Sequence, residues 1–262
     1  DDLGHTETLF TVANGYLGMR GNPEEGREAF AHGTFINGFH ETWPIQHAEE
    51  AYGFARVGQT IVNAPDAKVI RLYVEDEPLL ISFADLVEYE RALDFKNGVL
   101  RREILWRTPS GKRVRVVTSR MVSFDQRHLA VLQFEVTLLD DHAPIAISSQ
   151  ILNRQDGEDE YHVRSKAMGE GHDPRKSETI PRRELEPRHS FGEVATGRVE
   201  LGYRCVDSEM TLAVAADHRD HAVRGEGATQ GIRRGARQIG AGIERAADRL
   251  GRLALPHGEV GR

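Results

Sequence analysis

Across residues 93–134 apolar runs alternate with turn signals at short, even spacing, which predicts an antiparallel β-meander. Asn97-Gly98 tolerates positive φ, Pro109-Ser110-Gly111 fixes φ and then releases it, and Asp125-Gln126-Arg127 is a third polar reversal. Arg113-Val114-Arg115-Val116 and residues 130–136 alternate in part between polar and apolar, the pattern of a sheet buried on one face. Upstream, 69–75 and 79–83 read as a hairpin across Asp76-Glu77-Pro78, and 86–93 leads into the meander. Residues 143–152 continue the sheet. From residue 6 to about 58, Gly15, Gly18, Gly21, Gly26, Gly33 and Gly38 interrupt any helix, so short strands and long loops are expected there.

Residues 153–189 are strongly charged, carry three prolines and lack periodicity, which predicts a long loop. Strand-like runs return over 194–217, with a turn at Asp207-Ser208-Glu209. In the tail, Ile239, Ile243, Ala246, Ala247, Leu250 and Leu253 repeat at helical spacing before Pro256 and Gly258, which predicts a terminal helix. The expected organisation is mainly β. A large antiparallel β-sandwich occupies 1–220, and an Arg/Gly-rich tail with a helix occupies 221–262.

At 262 residues the chain can bury a large core in one domain. A net charge of -7, with both signs interleaved, argues against a nucleic-acid partner. The Arg-rich tail interleaves Glu244 and Asp248 with its cations and reads as a solvated amphipathic helix rather than a nucleic-acid arm. A single cysteine, Cys205, excludes an internal disulfide and a Cys-based zinc cage, so a reducing, cytoplasmic setting is the economical expectation. No apolar run approaches the roughly 20 residues of a membrane helix, so no membrane partner is expected.

Four segments carry a family resemblance: residues 7–26 (ETLFTVANGYLGMRGNPEEG), 33–38 (GTFING), 93–102 (LDFKNGVLRR) and 119–123 (SRMVS). Together they resemble the N-terminal domain of glycoside hydrolase family 65, which holds the maltose, trehalose, kojibiose and nigerose phosphorylases and some α-glucoside hydrolases. The resemblance implies a large antiparallel sandwich, in agreement with the meander. It also implies inverting cleavage of an α-glucosidic bond by a Glu acting as general acid on a separate, downstream α/α barrel, with phosphate or an activated water as nucleophile. The chain is then a non-catalytic domain that braces this barrel and shapes its substrate entrance, inactive alone. A disaccharide is the parent's substrate, and inorganic phosphate is its co-substrate in a phosphorylase. No organic cofactor is implied, and a homodimer contact is a further role open to the domain. The alternative is an autonomous carbohydrate-binding or dimerisation module.

Candidate substrate-binding residues fall in two places. Asn14 and Arg20 lie in a glycine-punctuated loop that lacks P-loop and dinucleotide spacing; Arg20 is expected to pair with a carboxylate, and both residues could face the barrel. Residues 35–54 concentrate Phe39, Glu41, Trp43 and Tyr52, and aromatic faces beside carboxylates are what pyranose rings bind. Such clusters more often serve cores and interfaces. His40, His47 and Glu49 match no zinc spacing, and no metal or catalytic residue is expected in this chain. Glu160, in Asp159-Glu160-Tyr161, superficially resembles the barrel's acid segment but follows a late strand of the sandwich and reads as a solvated loop.

Overall fold

The computed structural model describes residues 3–153 and 184–244, apart from 27, 28, 46, 48, 50, 141, 194, 226 and 227, and side chains as far as 219. The described chain folds mainly into antiparallel sheets. It opens on a short helix, α1 (Leu3–Leu9), followed by a four-stranded sheet of β1 (Val12–Ala13), β2 (Leu17–Met19), β3 (Thr34–Pro44) and β4 (Val57–Asn63). Next come β5 (Asp66–Val74) and β6 (Glu77–Pro78), then the meander of β7 (Asp85–Asp94), β8 (Val99–Arg107), β9 (Arg113–Val122) and β10 (Leu129–Leu138). The last strands are β11 (Ile145–Leu152), β12 (Leu185–Glu193), β13 (Arg198–Cys205), β14 (Thr211–Gly225) and β15 (Ala228–Glu244). β11 pairs with β5, and β5 with β6, in a three-stranded sheet. The remaining strands make one eight-stranded sheet in the order β12-β13-β14-β15-β10-β9-β8-β7.

Alternation builds the core. On β8, β9 and β10 every second residue turns inward, burying Leu100, Ile104 and Trp106, then Val114, Val116 and Val122, then Leu132, Phe134 and Val136. These belong to one hydrophobic cluster with Leu17, Met19, Ile36, Phe39 and Val62 of the four-stranded sheet and Ile70, Leu72 and Val74 of β5. Two layers therefore share one core, the architecture of a sandwich. Gly98 and Gly111 sit in the meander's turns at φ of 65° and 88°, where a Cβ would be strained.

Three local expectations change. Residues 3–9 are helical although glycines follow closely, because the helix is held by tertiary bonds through Glu7 rather than by its own length. The hairpin after β5 returns at Glu77–Pro78 through Glu75, whose φ is 59°, leaving Pro78 on an edge strand that needs no donor from it. The helix expected over 239–253 is not formed at its start: residues 239–244 belong to β15, which pairs with β10 and β14, and the boundary expected at 220 falls inside β14. Residues 245–262 lie outside the described residues. So does most of the loop expected over 153–189, including Glu160; its last residues, from Leu185, form β12.

Candidate functional site

The partners of the buried charges decide which carboxylates are available for chemistry. Arg102 and Arg120 occupy inward positions of β8 and β9 where the alternation calls for apolar residues, and each is under 5 % exposed. Both reach the loop that follows β2. Arg102 forms a two-pronged pair with Glu25 (2.9 and 2.7 Å) and a further ion pair with Glu24 at 2.7 Å. Arg120 donates to Glu24 at 2.5 Å and to the carbonyls of Arg20 and Asn22 at 2.8 and 2.9 Å. Burial works against ionising Glu24, but the two guanidiniums beside it prevail and hold its pKa down at about 2. The same carboxylates overcome the effect of burial on Arg102 and push its pKa up.

The neighbouring charges are satisfied in the same way. Glu7, wholly buried on α1, accepts from the amides of Phe30 and Ala31 at 2.9 and 3.1 Å and pairs with Arg20 at 3.4 Å. Arg20 thus has the carboxylate partner expected of it, and it also donates to the Gly4 carbonyl at 3.1 Å. Asp66 holds Lys68 at 2.7 Å; although burial opposes its charge, Lys68 and a hydrogen bond from His32 keep its pKa well below the usual carboxylate range.

The residues of β3 divide by face. Phe39, Glu41 and Trp43 all point inward, and their exposures of 0, 1 and 9 % leave little ring surface for a sugar. Glu41 accepts from the amides of Thr42, Asp207 and Ser208 at 2.8, 3.1 and 2.6 Å, so it caps the turn between β13 and β14 and ties the small sheet to the large one. Trp43 lies against Gly58 on β4, whose missing Cβ leaves room for the indole. Tyr52 stands fully exposed in the β3–β4 connection. His40 and His47 face the carbonyls of Gly38 and Ala55 at 3.0 and 2.7 Å. Among the described residues no group of three His, Cys, Asp or Glu is arranged to hold a metal ion.

Asn14 belongs to a different place, one end of the sandwich. Its carbonyl accepts from the amides of Tyr16 and Leu17, and its amide donates to the Ser123 and Arg127 carbonyls at 2.6 and 3.0 Å, locking the β1–β2 turn onto the β9–β10 turn. Tyr16 packs edge-on against His128 with ring centroids 4.7 Å apart, and the Arg127 guanidinium lies 4.8 Å over the Tyr16 ring. Phe124, on the same turn, is 77 % exposed and stands where a Cβ at Gly98 in the β7–β8 turn would touch its ring at 3.7 Å; Phe95 in that turn is 89 % exposed. The segments 7–26, 93–102 and 119–123, distant in sequence, thus meet at one end. Phe95 and Phe124 escape a search for catalytic residue types, and Arg127 and His128 belong to no motif with a recognisable catalytic spacing. The signal that marks them is their position in or beside the turns that carry the motifs. The arrangement offers two exposed aromatic rings on turns fixed by hydrogen bonds, which suits packing against another surface.

Residues 1–246 match the model of the glycosyl hydrolase family 65 N-terminal domain. An α,α-trehalose phosphorylase of Thermoanaerobacter brockii is 40 % identical over 161 residues, 58 % of this chain and 21 % of its own. An uncharacterized glycosyl hydrolase of Mycobacterium leprae is 38 % identical over 154 residues, 59 % of this chain and 19 % of its own. The chain therefore spans about a fifth of the length of these relatives. A solved structure of a putative kojibiose phosphorylase from the human microbiome superposes with a TM-score of 0.70 at 17 % identity, covering 93 % of this chain and 31 % of the other, and shares its fold.

Proposed function

The chain belongs to glycosyl hydrolase family 65, as that family's N-terminal domain, and from that premise we propose that it is the non-catalytic domain of an α-glucoside phosphorylase or hydrolase. It braces the downstream α/α barrel and shapes one side of the barrel's substrate entrance. The disaccharide, and the phosphate that a phosphorylase would use, belong to the parent enzyme's chemistry. A reducing, cytoplasmic setting fits this reading, and no helix among the described residues is long and apolar enough to cross a membrane.

One observation carries the proposal. Inverting glycoside cleavage needs one carboxyl that keeps its proton near neutral pH and a nucleophile on the opposite face of the sugar. The buried carboxylates described here, Glu7, Glu24, Glu25, Glu41 and Asp66, each accept hydrogen bonds from amides, arginines or a lysine. They serve the fold. At Glu24 and Asp66 those partners hold the pKa down, the opposite of what a general acid requires.

The direct test is a release assay for glucose and glucose 1-phosphate from maltose, trehalose and kojibiose, with and without phosphate, on the 262-residue chain. We expect no turnover. Turnover that disappears in Glu160→Gln would place the acid in this chain and end the accessory-domain reading.

A further inference from the structure

The outer face of the large sheet carries an open groove. Where β12, β13 and β14 lie side by side, this groove of about 440 Å³ is lined by His189, Phe191, Glu193, Arg198, Glu200 and Asp217. Strand register puts them on one face: Phe191 pairs with Glu200, Glu193 with Arg198, and Arg198 with Asp217. The small neighbours on that face keep the groove open. Gly202 pairs with His189, and Ala215 with Glu200, so neither position supplies a long side chain to fill it.

We propose that this groove is a binding site for a neutral saccharide, built on β12–β14 and set sideways from the turns that carry Asn14, Phe95 and Phe124, with β15 lying between β14 and β10. Size is the first argument, because ligand pockets run from about 300 to 1,000 Å³ and this groove falls in that range. The second is Phe191 on the edge strand β12, which is 43 % exposed and whose ring can cover the apolar face of a pyranose. The third is the polar rim. Arg198 is ion-paired with Glu200 and also faces Asp217 at 3.8 Å, so these acceptors and donors are held in place before any ligand arrives. Sugar hydroxyls can then donate to carboxylate oxygens and accept from the guanidinium without the site having to reorganise.

Charge narrows the ligand class. Three carboxylates face one guanidinium and His189, which lies 3.6 Å from Glu200, so acids outnumber the basic groups and leave the groove negative; a neutral glycan is favoured and a sugar phosphate is repelled. The site rests on the geometry of β12–β14 and stands or falls independently of the accessory-domain reading.

The test is titration of the 262-residue chain with maltose, trehalose, maltoheptaose and glucose 1-phosphate, followed by calorimetry and by amide chemical shifts. Saturable binding of at least one neutral sugar is expected, with shifts centred on 189–200 and 215–217. Phe191→Ala should weaken it about tenfold or more while the circular dichroism spectrum stays unchanged, since the ring is exposed and lies outside the core cluster. Maltoheptaose binding far better than maltose would assign the groove to glucan chains rather than free disaccharides, within the same proposal. Absence of binding by all three neutral sugars would overturn the proposal, as would unchanged affinity in folded Phe191→Ala. Glucose 1-phosphate binding more tightly than maltose would overturn it too.

Discussion

Glu24 sits between two guanidiniums with only a few per cent of its surface in water, and protonating it would leave Arg120 and Arg102 short of a counter-charge inside the sandwich. Its pKa of about 2 lies below the ordinary value of 4.5, so the unfolded chain takes up the proton first as the pH falls. The resulting stability, about 3 kcal/mol, is complete above pH 4.5 and is lost as the pH drops through 4.5 toward 2. Denaturant unfolding at pH 7, 4.5 and 2.5 should show wild type weakening steeply over the lower interval. Glu24→Gln should start about 3 kcal/mol or more less stable at neutral pH and weaken less below 4.5, since Asp66 and the surface carboxylates contribute equally to both proteins. Parallel curves for the two proteins would mean that Glu24 carries no such linkage. The residue scale is also where sequence reasoning about the site had least to work with. Glu41 looks like ligand chemistry because a buried structural carboxylate and a sugar-binding one are the same residue type. What separates them is Asp207 and Ser208, more than 160 positions away. Arg20 was better marked, because its partner Glu7 lies only 13 residues off.

At the scale of elements, the meander was legible because every signal in it is local. Turn residues, alternation and strand length from β7 to β10 all lie within a few residues of the bonds they determine. β15 was not. Its Ile239 and Ile243 stand four apart and open a run that suits a helix, and the decisive bonds run to β10, about a hundred residues earlier. The four-stranded sheet depends on a similar long-range tie, in which Glu41 of β3 holds the β13–β14 turn and Ser208 donates through its hydroxyl to the His40 carbonyl at 2.6 Å. Glu41→Ala should therefore behave as the loss of a clamp, leaving the amides of Thr42, Asp207 and Ser208 without their carboxylate acceptor and costing about 2–4 kcal/mol. Thermal or urea unfolding measures this directly. A variant as stable as wild type would return Glu41 to the list of ligand candidates. Gly58→Ala, in which a new Cβ meets the Trp43 indole, should weaken the β3–β4 pair by about 1–3 kcal/mol in the same assay.

For the whole molecule, the large sheet is continuous only because β15 sits between β10 and β14. Without it, β14 keeps β13 as its neighbour and β10 keeps β9, and the sheet becomes two pieces, each with a raw edge of unpaired amides and carbonyls. Both new edges would flank the core, since β10 and the first part of β14 bury Leu132, Phe134, Leu212 and Val214 in it. A domain that ended near residue 220, as the change in composition there suggests, would be missing this central strand. The match to the family's N-terminal domain runs to residue 246, just past the end of β15. Chains truncated after 246 and after 225 separate the two boundaries. The longer one should elute as a single compact species and unfold cooperatively at a midpoint close to that of the full chain. The shorter one should aggregate or unfold without a sharp transition, because loop and edge exposure replace the pairing of a central strand. Equal stability of the two would show that β15 adds nothing to the sandwich, and that the domain closes before residue 226.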